Sequence, residues 1–420
     1  MFKLILTALV LGGAKAKTLP APSVTDTREA TLACYWETYL YPKFSSSDIE
    51  TNLCNHIIYG DAKLDETTWK ITHKQRNIDI DLGGFKNVSE MKIQSPGLRV
   101  EIAAGMWQTP KEYVDMASDP AKRETFVRSV VDFLDENNFD GFHLHWGNPG
   151  SPDIDQNEAR SHLTILLKEL KTALVAAGKT LSIAIWSPLA SKLNKNFEIG
   201  EVYKHVDLVF VMAFGYSGSW FRNTGAFAPL YPGEESKVPE EEYLTVDSSW
   251  RSMKKKGALP EKTVLAVAPK GSGFKLKDPE EHGMGAPSIQ NAAPSVGGQP
   301  KFNELCNMLK PTSDWSRVWD NERKVPYMYK EEEWISYEDV QSVEEKARYA
   351  NEQGLAGLAV NNLANDDFDG RCNSSNNFPL LRTAKEHLGK SEIQKGDSMP
   401  TRHSSILLIL AAVVNFTFSK

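Results

Sequence analysis

Long apolar runs are nearly missing from this chain. The two most apolar segments, Leu4 to Leu11 and Ile406 to Phe418, both fall well short of the ~20 residues that a membrane-spanning helix needs. Cysteine is scarce: there are four in 420 residues, and no CxxC or HxxxH spacing accompanies them, which removes the common zinc patterns. An excess of basic charge is absent too. Lys and Arg total 48 against 55 Asp and Glu, a net charge of −7, which argues against nucleic acid as a partner. No internal repeat is evident. What remains is an ordinary globular composition, 41% apolar, with enough material for a sizeable core.

Both ends look like processing segments. Lys3 flanks the first apolar run, and Ala14-Lys15-Ala16 fits the small-x-small cleavage rule. Residues 1–16 therefore read as a signal peptide; a buried first helix would carry polar positions on one face. Such a route is oxidising, and an even number of cysteines suits it. Cys34, Cys54, Cys306 and Cys372 allow three pairings, among which spacing does not choose. Asn87-Val88-Ser89 and Asn373-Ser374-Ser375 are sequons, so Asn87 and Asn373 are candidate glycosylation sites. In residues 391–420 the small residues Gly396, Asp397 and Ser398, a polar spacer and the apolar tail follow the order of a GPI-anchor signal. A docked or disordered tail is the other reading. The expected location is extracellular, with membrane attachment only through such an anchor.

Between the ends, short apolar β-rich runs alternate with amphipathic helical stretches. Candidate strands are Thr31–Trp36, His56–Tyr59, Val100–Gly105, Phe139–Trp146, Leu181–Trp186, Leu208–Phe214, Thr263–Pro269 and Gly357–Asn361. They are nearly continuously apolar, as parallel strands covered on both faces should be. Ser118-Asp119-Pro120 reads as a helix start, with Phe126, Val127, Val130, Val131 and Leu134 on one face. A second helix, from about Asn157 to Ala177, carries a leucine stripe and stops at Gly178. Eight strands alternating with helices predict a (β/α)8 TIM barrel, class α/β, over residues 28–390. The gap before the last strand is too long for a simple βα unit, so residues 274–337 are expected to form a small α+β insertion.

The stretch Phe139-Asp140-Gly141-Phe142-His143-Leu144-His145-Trp146-Gly147-Asn148-Pro149 resembles the fourth barrel strand of the family 18 glycoside hydrolases, DGxDxDxE followed by an aromatic residue and proline. Cys54 to Tyr59 is similar to that family's second strand and Ile102 to Trp107 to its third. Met212 to Trp220, MAFGYSGSW, resembles its sixth, usually MTYDFHGSW. Trp319-Asp320 through Tyr329, Tyr337-Glu338-Asp339 and Asp366-Asp367-Phe368 resemble its insertion and eighth strand. The resemblance runs from about Leu32 to Leu388 and implies the pairing Cys34–Cys54 and Cys306–Cys372.

The resemblance also implies a chemistry. A glutamic acid at the strand end protonates the glycosidic oxygen while the substrate's own acetamido oxygen attacks, supported by aspartates and a tyrosine. This is an exception to the two-carboxylate scheme. Here His143 and His145 stand at the aspartate positions and Gly147 at the acid's. Phe214 and Gly215 replace the tyrosine and aspartate, and Asn361 the tryptophan floor of the sugar site. Asp61 stands for a phenylalanine, and Lys270 and Ser272 for a tyrosine and an arginine. Glycine has no proton to give, so the chain is expected not to be an enzyme. The expected function is that of a chitinase-like lectin or imaginal disc growth factor, binding glycans or a cell-surface receptor. Tyr35, Tyr39, Trp107 and Trp220 are the candidate sugar-binding aromatics, with core or rim packing as the alternative.

Two other functions stay open: a weak chitin-binding surface protein, and an enzyme with new chemistry in which His143 and His145, with Asp61, hold a metal. Against the second stands a plain filler, Asp61 paired with one histidine, and neither metal nor cofactor is expected.

Overall fold

The computed structural model describes residues 29–106, 110–146, 156–186, 196–234, 244–310, 312–372 and 376–389. Thirteen strands lie among them: β1 Thr31–Glu37, β2 His56–Asp65, β3 Lys70–His73, β4 Arg99–Ala104, β5 Gly141–Leu144, β6 Thr180–Trp186, β7 Leu208–Met212, β8 Thr263–Val267, β9 Gly271–Lys275, β10 Ser316–Asp320, β11 Val325–Lys330, β12 Glu333–Tyr337 and β13 Gly357–Val360. Parallel pairing runs β1-β13-β8-β7-β6-β5-β4-β2, and β2 pairs back onto β1. The sheet is therefore a closed eight-stranded parallel barrel, with β3 added antiparallel to β2. The expected TIM barrel is what the chain forms.

Alternation along each strand creates two environments. On β1, Leu32, Cys34 and Trp36 pack outward against the helices, while Ala33 and Tyr35 face inward. The inner set continues with Ile58, Ala103, Ala184, Phe210, Met212, Ala266 and Ala359. Five alanines, one each from β1, β4, β6, β8 and β13, leave room for the few large side chains that fill the barrel. Outside, helix Pro120–Glu136 starts where its sequence says: Asp119 accepts from the backbone of Ala121 and Lys122, and Pro120 sits in the first turn. It buries Phe126, Val130 and Leu134. The leucines of helix Gln156–Ala176 are fully buried against the same layer.

A second sheet, β10-β11-β12-β9, is antiparallel and stands beside the barrel. Its β12 leads into Glu338, whose backbone N–H donates to the carbonyl of Lys270 at 3.1 Å. The Glu338 carboxylate meets Lys346 at 2.8 Å, both side chains 1% exposed. Disulfides join Cys34 to Cys54 and Cys306 to Cys372. No helix among the described residues is long and apolar enough to cross a membrane. The leader-like residues 1–16 and the tail 391–420 lie outside the described residues.

Candidate functional site

The C-terminal mouth of a parallel barrel is where inward side chains from several strand ends meet solvent. Continuing the inner alternation one step upward gives Glu37 after Tyr35, Trp186 after Ala184, Phe214 after Met212, Lys270 after Ala268 and Asn361 after Ala359. His145 stands one step above His143. The mouth is divided. Trp186 and Phe214 make an aromatic half, edge to face at 5.5 Å. Glu37, Asn361 and Lys270, from three neighbouring strands, make a polar half. Burial lowers the Lys270 ammonium's pKa; nearby Glu37 pulls it up and Lys301 pushes it further down.

Beside the polar half lies a cavity of about 400 Å³, lined by Glu37, Thr38, Tyr39, Gly60, Asp61, Lys74 and Gln75. Asp61 is bound by Lys74 through both carboxylate oxygens, at 2.9 and 3.1 Å. The expected pairing of Asp61 with a histidine is thus corrected. The β2–β3 register sets Ala62 opposite His73, which brings the next residue, Lys74, to Asp61.

Under the mouth runs a polar column that sequence reading missed. Glu101 of β4 is buried among apolar neighbours, 3.3 Å from the Nε2 of His56. Thr180 donates to Glu101 at 2.6 Å, and so does the Ser182 hydroxyl. With that proton committed, Ser182 must accept from His143 Nδ1, at 2.7 Å. His143 Nε2 then accepts from the Tyr35 hydroxyl at 3.0 Å. Gly141 makes the column possible, since a Cβ there would lie 2.9 Å from Glu101 Oε1. Burial pushes the Glu101 carboxyl up, but the His56 charge and the bonds from His56, Ser182 and Thr180 outweigh it and hold it at about 2. Burial, with His145 adding, drives His143 well below the usual imidazole range.

These bonds decide several expectations. Both ring nitrogens of His143 are engaged, so an H-x-H metal pair with His145 is not available to it. Tyr35 is fully buried and lies one layer beneath the mouth, not along an open groove. Tyr39 and Trp220 are exposed at 47% and 43%, free to meet a ligand. Phe214 is buried in the mouth wall, and Gly215 takes a φ of +71° that glycine adopts without strain. Asn87 is exposed on helix Gly84–Gln94. Trp107, Gly147 and Asn373 lie outside the described residues. Trp186 also went unread, because an aromatic residue closing an apolar strand looks like core.

Burial lowers the pKa of His145 to about 4. The neutral ring is the folded form, so its contribution to stability is complete above about pH 6.5 and disappears as pH falls towards 4. At about 1.4 kcal/mol per pH unit, the loss is on the order of 3 kcal/mol. Urea midpoints at pH 7 and pH 4.5 check this: the wild type should fall more than His145→Gln, and equal falls would refute it.

The Glycosyl hydrolases family 18 profile matches residues 31–366. An endochitinase of Manduca sexta is 28% identical over 388 residues, 88% of this chain and 69% of that protein. Chitotriosidase-1 of Mus musculus is 28% identical over 86% of this chain and 78% of its own length. Among solved structures, the Group IV chitinase of Ostrinia furnacalis superposes with a TM-score of 0.81 at 29% identity, covering 86% of this chain and all of that one. Human YKL-39, described as a pseudo-chitinase with retained chitooligosaccharide binding, gives a TM-score of 0.78 at 25% identity, covering 86% of this chain and all of that one. These likenesses correct the expectation that the chain is not an enzyme: relatives matched along most of its length are named as an endochitinase and a chitotriosidase. Gly147, the residue behind that expectation, is outside the described residues.

Proposed function

We propose that this chain, which belongs to the glycosyl hydrolases family 18, binds chitooligosaccharide-type glycans outside the cell at the C-terminal mouth of its barrel. The observation that carries the reading is the pair of large aromatics, Tyr39 and Trp220, left exposed beyond the ends of β1 and β7, with Tyr39 lining the cavity beside the mouth. A pyranose has apolar faces and hydroxyl-bearing edges, and such a surface meets both. Two disulfides and the leader-like start support an oxidising, extracellular setting.

Titration calorimetry with N-acetylated chitotetraose tests the reading. The wild type should bind, and Trp220→Ala should weaken binding about tenfold, the value of one aromatic contact. Product analysis of the same mixtures records cleavage. Absence of binding by the wild type would remove the proposal.

A further inference from the structure

The tryptophan floor implied by the family resemblance is missing at Asn361, yet the mouth holds a tryptophan elsewhere. Trp186 closes β6, three strands from β13 in the barrel order, and alternation turns it inward. It remains 40% exposed, unusual for an indole at a strand end. Its position is fixed by neighbours: Phe214 meets it edge to face, and a Cβ on Gly215 would lie 3.7 Å from its ring. Asn361, Glu37 and Lys270 face the mouth's other half with hydrogen-bonding groups.

The groups that would grip an acetamido substituent are depleted at the same time. Phe214 offers a ring and Gly215 no side chain. His143 has both nitrogens bonded. His145 Nδ1 is buried with no hydrogen-bond partner among the described residues, leaving one imidazole for the task.

We propose that Trp186 is the sugar-stacking floor within the mouth, with Glu37, Asn361 and Lys270 taking the hydroxyl edge, and that the mouth accepts β-linked hexose oligosaccharides with or without acetamido groups. The proposal rests on the glycan-binding reading above. One hydrogen bond to the acetamido group sets the discrimination at about tenfold. A site built around several such bonds would reject the plain sugar far more strongly.

Calorimetry with N-acetylated chitotetraose and with cellotetraose tests it on the wild type, Trp186→Ala and Trp186→Phe. Wild-type affinities for the two sugars should agree within about tenfold. Trp186→Ala should weaken both by about tenfold or more, and Trp186→Phe should retain most of the binding and serve if the alanine variant fails to fold. Wild-type binding unchanged in Trp186→Ala, or chitotetraose binding with no detectable cellotetraose binding, overturns the inference alone. No binding of either sugar by the wild type overturns the glycan-binding reading and the inference with it.

Discussion

Replacing Glu101 with Gln is expected to cost about 1–3 kcal/mol of stability at pH 7, the penalty for leaving buried polar groups without their partner. The reason lies in the wiring of the column. His56 is 2% exposed, and its Nε2 lies 3.3 Å from Glu101, so the amide would take away the carboxylate that this buried ring faces. Ser182 and Thr180 both donate to the carboxylate oxygens, and an amide can accept at only one of those positions. His143 and Tyr35 take their hydrogen-bond direction from Ser182, so the disturbance reaches the layer beneath the mouth. Urea unfolding measures the cost. A double variant, His56→Leu with Glu101→Leu, should recover part of it, because paired removal leaves no lone buried polar group facing the other's place. A cost below about 1 kcal/mol for Glu101→Gln would mean that the column is not held by this pair.

The second large effect is expected for Lys346→Met. Glu338 is fully enclosed, with Lys346 and a Ser342 hydroxyl on its carboxylate. Burial already raises its pKa, against the pull of the lysine. Without Lys346 that rise grows. An acid whose folded pKa is raised loses stability as pH climbs from the unfolded value of about 4.3 to the folded one, and regains it as pH falls back. The variant should therefore lose about 3–5 kcal/mol at pH 7 and clearly less at pH 5, where Glu338 takes up a proton. Because Glu338 also holds the backbone of Lys270, the same variant should weaken glycan binding. Equal losses at the two pH values would show that Glu338 carries no charge in the fold.

The barrel strands were legible because both faces of each are covered. Buried parallel strands leave continuous apolar runs, and Val100–Gly105 was read within one residue of β4, Arg99–Ala104. β3 was not read: Lys70-Ile71-Thr72-His73 is short and mixed, and it pairs only through β2. That pairing is also what sends Lys74, instead of a histidine, to Asp61. Inward placement of His143 and His145 follows from alternation, but the hydrogen-bond partners of His143 come from β1 and β6, at sequence distances no local pattern reports. Glu101 left a faint signal, a single acid inside the run Arg99-Val100-Glu101-Ile102-Ala103-Ala104. Trp186 left none, since exposure at a strand end depends on what its neighbours lack.

The place of β1 between β2 and β13 governs the order in which the molecule is assembled. The first strand leaves the ribosome early, finds β2 soon after, and can be stapled there by Cys34–Cys54. Its other edge has no partner until Gly357–Val360 has been made. The growing sheet therefore stays open through most of synthesis, and an open edge invites pairing with other chains. A chain cut between Val267 and Gly357 would keep the open edges of β1 and β8 for good, so partial products of this protein should aggregate rather than persist as smaller barrels.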